Sequence, residues 1–103
     1  MSYEMTVGLV VTDQDSYARY RSEMRPLLEE AGGAFQYDFD VARTLSGDGA
    51  EEVNRLFVLR FPSESNKDRF FADPRYVEIR RRWFDPAVKE RVLIAEYMNA
   101  DGR

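Results

Sequence analysis

The chain has 103 residues, of which 44% are hydrophobic and 14% aromatic, and a net charge of −4. That is apolar material enough for one packed domain over residues 1–103, and too little basic charge for general nucleic-acid or anionic-membrane binding. Cys and His are both absent, which removes disulfides, thiol chemistry, the commonest general base and the commonest metal ligand. No apolar run approaches the roughly 18 residues of a membrane span, and no basic-then-apolar leader opens the chain, so the expected compartment is the cytoplasm.

Tyr3 to Thr12 alternates as a strand, with Met5, Val7, Leu9 and Val11 on one face and Glu4, Thr6, Gly8 and Val10 on the other. Asp13 or Asp15 is placed to cap a helix in which Tyr17, Tyr20, Met24, Leu27, Leu28 and Ala31 recur at helical spacing. Pro26 should kink or restart that helix, because it lacks the N–H of an internal hydrogen bond. Gly32-Gly33 should end it.

Ala34 to Arg43 alternates again, setting Phe35, Tyr37, Phe39 and Val41 against Gln36, Asp38, Asp40 and Ala42. Leu45 to Glu52 is polar and contains Gly47-Asp48-Gly49, a turn or longer hairpin loop. Asn54 to Phe61 is a third strand ending at Pro62. Ser63 caps a helix carrying Phe70 and Phe71, and Asp73 caps another with Pro74 at its favoured first position. Tyr76, Val77, Ile79, Arg80, Trp83 and Phe84 follow, and Pro86 closes the helix. Val92 to Met98 is the last strand, followed by a tail from Asn99 to Arg103 that should fray.

Two strand–helix–strand crossovers joined by a hairpin give an α+β, ferredoxin-like βαββαβ sandwich: a four-stranded antiparallel sheet with helices on one face. Met5, Val7, Leu9, Phe35, Tyr37, Phe39, Phe57, Leu59 and Phe61 should face the helices. Thr6, Gly8, Val10, Gln36, Asp38, Asp40, Val58, Arg60, Ile94 and Glu96 should occupy the open face. Pairing that face with a second subunit would hide its apolar members and leave the charged ones around a cavity.

Several stretches carry a resemblance. They are Asp13-Gln14-Asp15-Ser16-Tyr17 with Tyr20, Gly32-Gly33, Phe61-Pro62-Ser63, and Phe71 with Asp73-Pro74-Arg75-Tyr76, Ile79 and Arg80. In this order and spacing, over nearly the whole chain, they resemble the domain of unknown function 1330 family of the dimeric α/β-barrel superfamily. The resemblance implies a homodimer whose two sheets face each other as a barrel, and it implies no established activity. The chain departs from the family in the loop around Gly47-Asp48-Gly49 and in the continuation Arg80-Arg81-Arg82-Trp83-Phe84.

The strongest chemical candidates are the polar residues of the open face. Asp38, Arg60 and Glu96 are candidate catalytic groups, since carboxylates in a dry cavity can exchange protons and an Arg can hold an oxyanion. Gln36, Asp38, Asp40, Arg60 and Trp83 are candidate ligand-binding residues. The bland alternative is a satisfied ion-pair network. Asp38 and Asp40 on one strand face would stand about 7 Å apart and could offer oxygens to a divalent cation, but two carboxylates without a third ligand are a weak signal, and no metal is expected. No cofactor is expected. Tyr17, Tyr20, Phe70, Phe71, Tyr76, Trp83 and Phe84 are first of all core, and secondly the lining of a pocket for a planar ligand. Arg80-Arg81-Arg82 fans around a helix, and ion pairs with Glu78 and Asp85 account for it better than a nucleic-acid site. The leading reading is a homodimer that binds a small organic molecule in a sheet-lined cleft. The alternatives are a cofactor-independent monooxygenase or isomerase, and an interaction protein with no ligand; the residues alone do not decide whether it is an enzyme.

Overall fold

The computed structural model describes residues 1–47 and 52–100. Strand β1 is Ser2–Val11, helix α1 Gln14–Glu30, β2 Ala34–Asp40, β3 Arg55–Phe61, α2 Glu64–Ala72, α3 Pro74–Ile79 and β4 Val88–Asn99; a π-helical turn, Arg80–Phe84, continues α3. The sheet order is β2-β3-β1-β4, and every neighbouring pair is antiparallel. This is the ferredoxin-like α+β arrangement. Asp48 and Gly49 of the expected turn, and the last three residues of the expected tail, lie outside the described residues. Among the described residues no helix is long and apolar enough to cross a membrane.

The caps follow from side-chain chemistry. Asp13 accepts a hydrogen bond from the Ser16 N–H at 3.1 Å, Ser63 from Asn66 at 3.1 Å, and Asp73 from Arg75 at 2.9 Å. Each satisfies an amide that the first helical turn leaves without a partner. Pro26 lies within α1, which continues past it to Glu30 rather than restarting. At the other end the Gly32 amide donates to the Glu29 carbonyl and the Gly33 amide to the Leu28 carbonyl, both at 2.9 Å. Gly32 has φ of +81°, the left-handed conformation that this paired closure requires.

The core lies between the helices and one face of the sheet. Leu9, Tyr17, Met24, Leu28 and Phe61 are its largest fully enclosed side chains, each aliphatic member contributing about 2 kcal/mol by burial. Tyr17, Tyr20, Phe84, Tyr76, Phe70, Phe71 and Phe61 form a chain of ring contacts with centroids 4.5 to 6.4 Å apart.

Two irregularities in the sheet correct the expected faces. In β2 the register slips at Gln36: Phe35 pairs with Leu59, Tyr37 with Val58, Asp38 with Phe57, and Phe39 with Leu56. A residue inserted into one strand reverses every later side chain. Tyr37 and Phe39 were expected among the helices, yet they stand on the open face, about half exposed and stacked with centroids 5.9 Å apart. Asp38 and Asp40 were expected in the open face and instead lie on the helix side with Phe57 and Arg55. In β4 a slip at Ile94 sets Glu96 opposite Met5 and Leu93 opposite Val7, so Glu96 also turns to the helix side. Ile94 stays on the open face, close to Gly8. Strand β4 also begins earlier than expected, at Val88, because Val88, Glu90 and Arg91 pair along the remaining edge of β1, with a slip at Lys89. An edge strand tolerates the charges of Lys89, Glu90 and Arg91, which masked the strand pattern.

Candidate functional site

A pocket of about 470 Å³ lies between the sheet and the helical layer toward β4. Its floor is β1, β3 and β4, through Met5, Val7, Leu9, Phe57, Leu59 and Leu93. Its roof comes from α1, α2, α3 and the π-helical turn, through Tyr20, Phe71, Tyr76 and Phe84. The volume falls within the usual range of small-molecule sites. An extra residue per turn widens a helix locally, and such turns recur at functional sites; here the turn carries both Arg80 and Phe84 to the pocket wall.

Polar groups gather at two places in this apolar space. At one end the Tyr20 and Tyr76 hydroxyls are 2.9 Å apart and buried, beside Arg80 and Arg91. Burial drives the Tyr20 phenol well above its ordinary pKa, and the neighbouring Tyr76 adds to the shift. Burial likewise raises Tyr76, against the opposing pull of its hydrogen bond with Tyr20 and of the Arg80 and Arg91 charges. Both phenols are therefore protonated at neutral pH and act as hydrogen-bond donors rather than bases. At the other end Glu96 accepts a hydrogen bond from the Tyr3 hydroxyl, and Lys67 pairs with Asp68 at 2.8 Å while its ammonium stands 5.1 Å from the Tyr3 ring.

Of the residues singled out in the sequence, the aromatics Tyr20, Phe71, Tyr76 and Phe84 meet in this pocket, whereas the polar set does not converge. Asp38 is clamped between Arg21 of α1 and Arg55 of β3, and Arg55 makes two bonds of 3.0 and 3.1 Å to it. Burial works to raise the Asp38 pKa, but the two guanidiniums outweigh it and hold the carboxyl below its usual range. Asp40 reaches Arg55 at 3.6 Å and is otherwise in solvent. Gln36 is the inserted residue of β2, half-buried, with a side-chain oxygen that has no hydrogen-bond partner. Arg60 lies opposite Glu4 across β1 and β3 on the open face. Glu96 alone of the set reaches the pocket. Trp83 is outside it, with the Arg19 guanidinium 4.7 Å above its ring and its carbonyl accepting from Ser16 at 2.7 Å. Arg81 pairs with Glu78 at 2.6 Å and Arg80 with Asp85 at 3.7 Å, the local ion pairs expected for the arginine run. Among the described residues no three acidic side chains gather as a metal-ligand group.

Residues 5–98 match the family described as Domain of unknown function (DUF1330). The chain belongs to the DUF1330 family. No curated protein matches the sequence. Among solved structures, a protein of unknown function from Rhodopseudomonas palustris superposes on this DUF1330 chain with a TM-score of 0.80 at 20% identity, over 95% of this chain and 82% of its own. A dimeric protein of unknown function with a ferredoxin-like fold from Bacteroides fragilis superposes at 0.63 and 10% identity, over 95% and 96%. Hydroxynitrile lyase from Passiflora edulis superposes at 0.64 and 18% identity, over 96% and 94%. At such identities the likeness establishes a shared fold.

Two features of this DUF1330 protein escaped the sequence reading. The Tyr20–Tyr76 pair was hidden because its members are 56 residues apart and both look like ordinary core aromatics. The second is Glu4, only 3% exposed on the open face. Tyr97 donates to it at 2.9 Å and Asn99 at 3.1 Å. Its place on β1 was legible, but its partners come from the opposite end of the chain.

Proposed function

We propose that this protein binds a small organic molecule in the pocket between helices and sheet, and that it works as a homodimer paired through the open sheet face. The carrying observation is the pocket itself: a cleft of about 470 Å³ with aromatic and aliphatic walls, bordered by the Tyr20–Tyr76 hydroxyls, Arg80 and Arg91 at one end and by Glu96 at the other. The departure of Asp38, Asp40 and Glu96 from the open face weighs against the cleft between facing sheets as the binding site. Pairing is supported by the exposed Tyr37, Phe39, Ile94 and Tyr97 on that face, an apolar set of the kind that marks an interface, and by the dimeric character of the Bacteroides fragilis protein of the same fold.

Thermal denaturation against a panel of flat organic molecules tests the binding. A ligand at a hundred times its Kd should stabilise the fold by about 2.7 kcal/mol. Leu93→Trp, which fills the pocket from a partly exposed position, should remove the shift without unfolding the chain. A panel with no shift on the natural protein, or a shift unaltered by Leu93→Trp, would remove the pocket as the binding site.

A cofactor-independent isomerase or monooxygenase is the second reading. One observation favours it: two protonated phenols and the Glu96 carboxylate border the same chamber, donors for a developing oxyanion and an acceptor for a proton. The lyase from Passiflora edulis shows that this fold carries an enzyme elsewhere. Turnover of a bound activated carbonyl compound, lost in Glu96→Gln with binding retained, would establish it.

A further inference from the structure

We infer that the ligand of this pocket is an organic monoanion with a flat body, and that its anionic group sits at the arginine end. The inference rests on the binding reading above and adds the chemical class and the orientation. The first observation is where the charges stand. Arg91 and Glu96 lie opposite Leu9 and Met5 on β1, four residues apart, which separates the two ends of the pocket by about 14 Å of strand. The basic end holds Arg80 and Arg91; the other end holds Glu96 with Asp68 and Lys67.

The second observation is which charges are already answered. Lys67 is paired with Asp68, and Glu96 accepts a hydrogen bond from the Tyr3 hydroxyl. Arg80 reaches Asp85 only at 3.7 Å. Among the described residues Arg91 makes no ion pair. A guanidinium presents a planar fork of donors that matches a carboxylate or an enolate.

The third observation is the phenol pair. One hydroxyl proton of Tyr20 and Tyr76 is used in the bond between them, which leaves one proton and no phenolate at neutral pH. A buried pair with a proton to spare suits an oxygen acceptor, and the adjoining guanidiniums suit a charged one. Between the two ends the walls are Phe71, Leu59, Phe57 and Leu93, which accept a flat apolar body. At the far end Glu96 would repel a second anionic group and receive a hydroxyl or amine hydrogen.

The test compares trans-4-hydroxycinnamate with its primary amide, which keeps the shape and removes the charge, by calorimetric titration of the full chain. The acid should bind at least tenfold tighter than the amide. Arg91→Met should bring the two within about threefold while the circular dichroism spectrum is unchanged; Arg80→Met provides a second measurement should Arg91→Met fold poorly. Equal affinities for acid and amide on the natural protein would overturn the anionic ligand and leave the pocket reading standing. A preference for the acid that survives both arginine variants would also overturn it, because the charge would then be read elsewhere. Binding of neither compound would overturn the inference together with the site it rests on.

Discussion

Asp38 and Phe57 are cross-strand neighbours on the side of the sheet that faces α1, one place out of step with an unbroken β2. The slip at Gln36 gives Asp38 two arginine partners and delivers Tyr37 and Phe39 to the open face. One inserted residue thus removes two carboxylates, Asp38 and Asp40, from the open face and adds two aromatic rings to it.

The clamp on Asp38 makes stability depend on pH in a definite direction. Its pKa in the folded state is below the ordinary value, so the unfolded chain binds the proton more readily. The clamp's contribution is complete above about pH 4, the ordinary carboxylate value, and is lost as pH falls through the lowered one. Asp38→Asn should therefore be less stable than the natural chain by about 1–3 kcal/mol near neutrality. The gap should narrow in acid. Urea titrations of both proteins at neutral and acidic pH check this, and a gap that widens in acid would contradict the clamp.

Burial also sets the alkaline behaviour of the tyrosines. Tyr17 is pushed up to about 12 by burial, with Arg55 and Arg21 pulling the other way, and Tyr20 and Tyr76 are raised as well. Their contribution to stability is full below the unfolded value of about 10 and is lost as pH rises through the folded values. Phenolate absorbance should thus rise in two stages, the second coinciding with loss of the circular dichroism signal. A single stage completed before unfolding would show that these phenols are not enclosed.

The Tyr20–Tyr76 bond should appear as a coupling energy. Tyr20→Phe and Tyr76→Phe should each cost about 1 kcal/mol, and the double variant less than their sum. A double-mutant cycle in denaturant measures the difference; strict additivity would mean that the hydroxyls do not meet.

The open face should govern assembly. If the proposed pairing holds, Tyr37→Lys with Phe39→Lys should yield a monomer by sedimentation with an unchanged far-ultraviolet spectrum. The rings stand half exposed on the single chain, so the substitutions leave the core intact. A natural chain that sediments as a monomer at every concentration would end the pairing reading.

Gly33 permits a close approach of backbone to core. A Cβ there would lie 2.6 Å from Leu28 Cδ1 and 2.9 Å from Phe61 Cε1. Gly33→Ala should cost about 1–3 kcal/mol through forced repacking, read from the midpoint of chemical denaturation. An unchanged midpoint would mean that the helix end can shift freely.

Local chemistry was enough to determine the order of strands and helices and the fold, though not the start of β4 at Val88 or the π-helical turn. Asp13, Ser63 and Asp73 cap helices because a short oxygen-bearing side chain reaches the first free amides, and Gly32-Gly33 ends α1 because glycine accepts a positive φ. Alternation placed Met5, Val7, Leu9, Phe57, Leu59 and Phe61 against the helices correctly, because β1 and β3 pair with each other without a slip over that stretch. It failed for Tyr37, Asp38, Phe39, Asp40 and Glu96, because a bulge is a property of two strands together and leaves no mark in the period of either one. The candidate site was beyond local reading for a related reason. Tyr20, Tyr76 and the β4 pair Arg91 and Glu96 lie on three different elements, and only the packing of helices on the sheet brings them around one space.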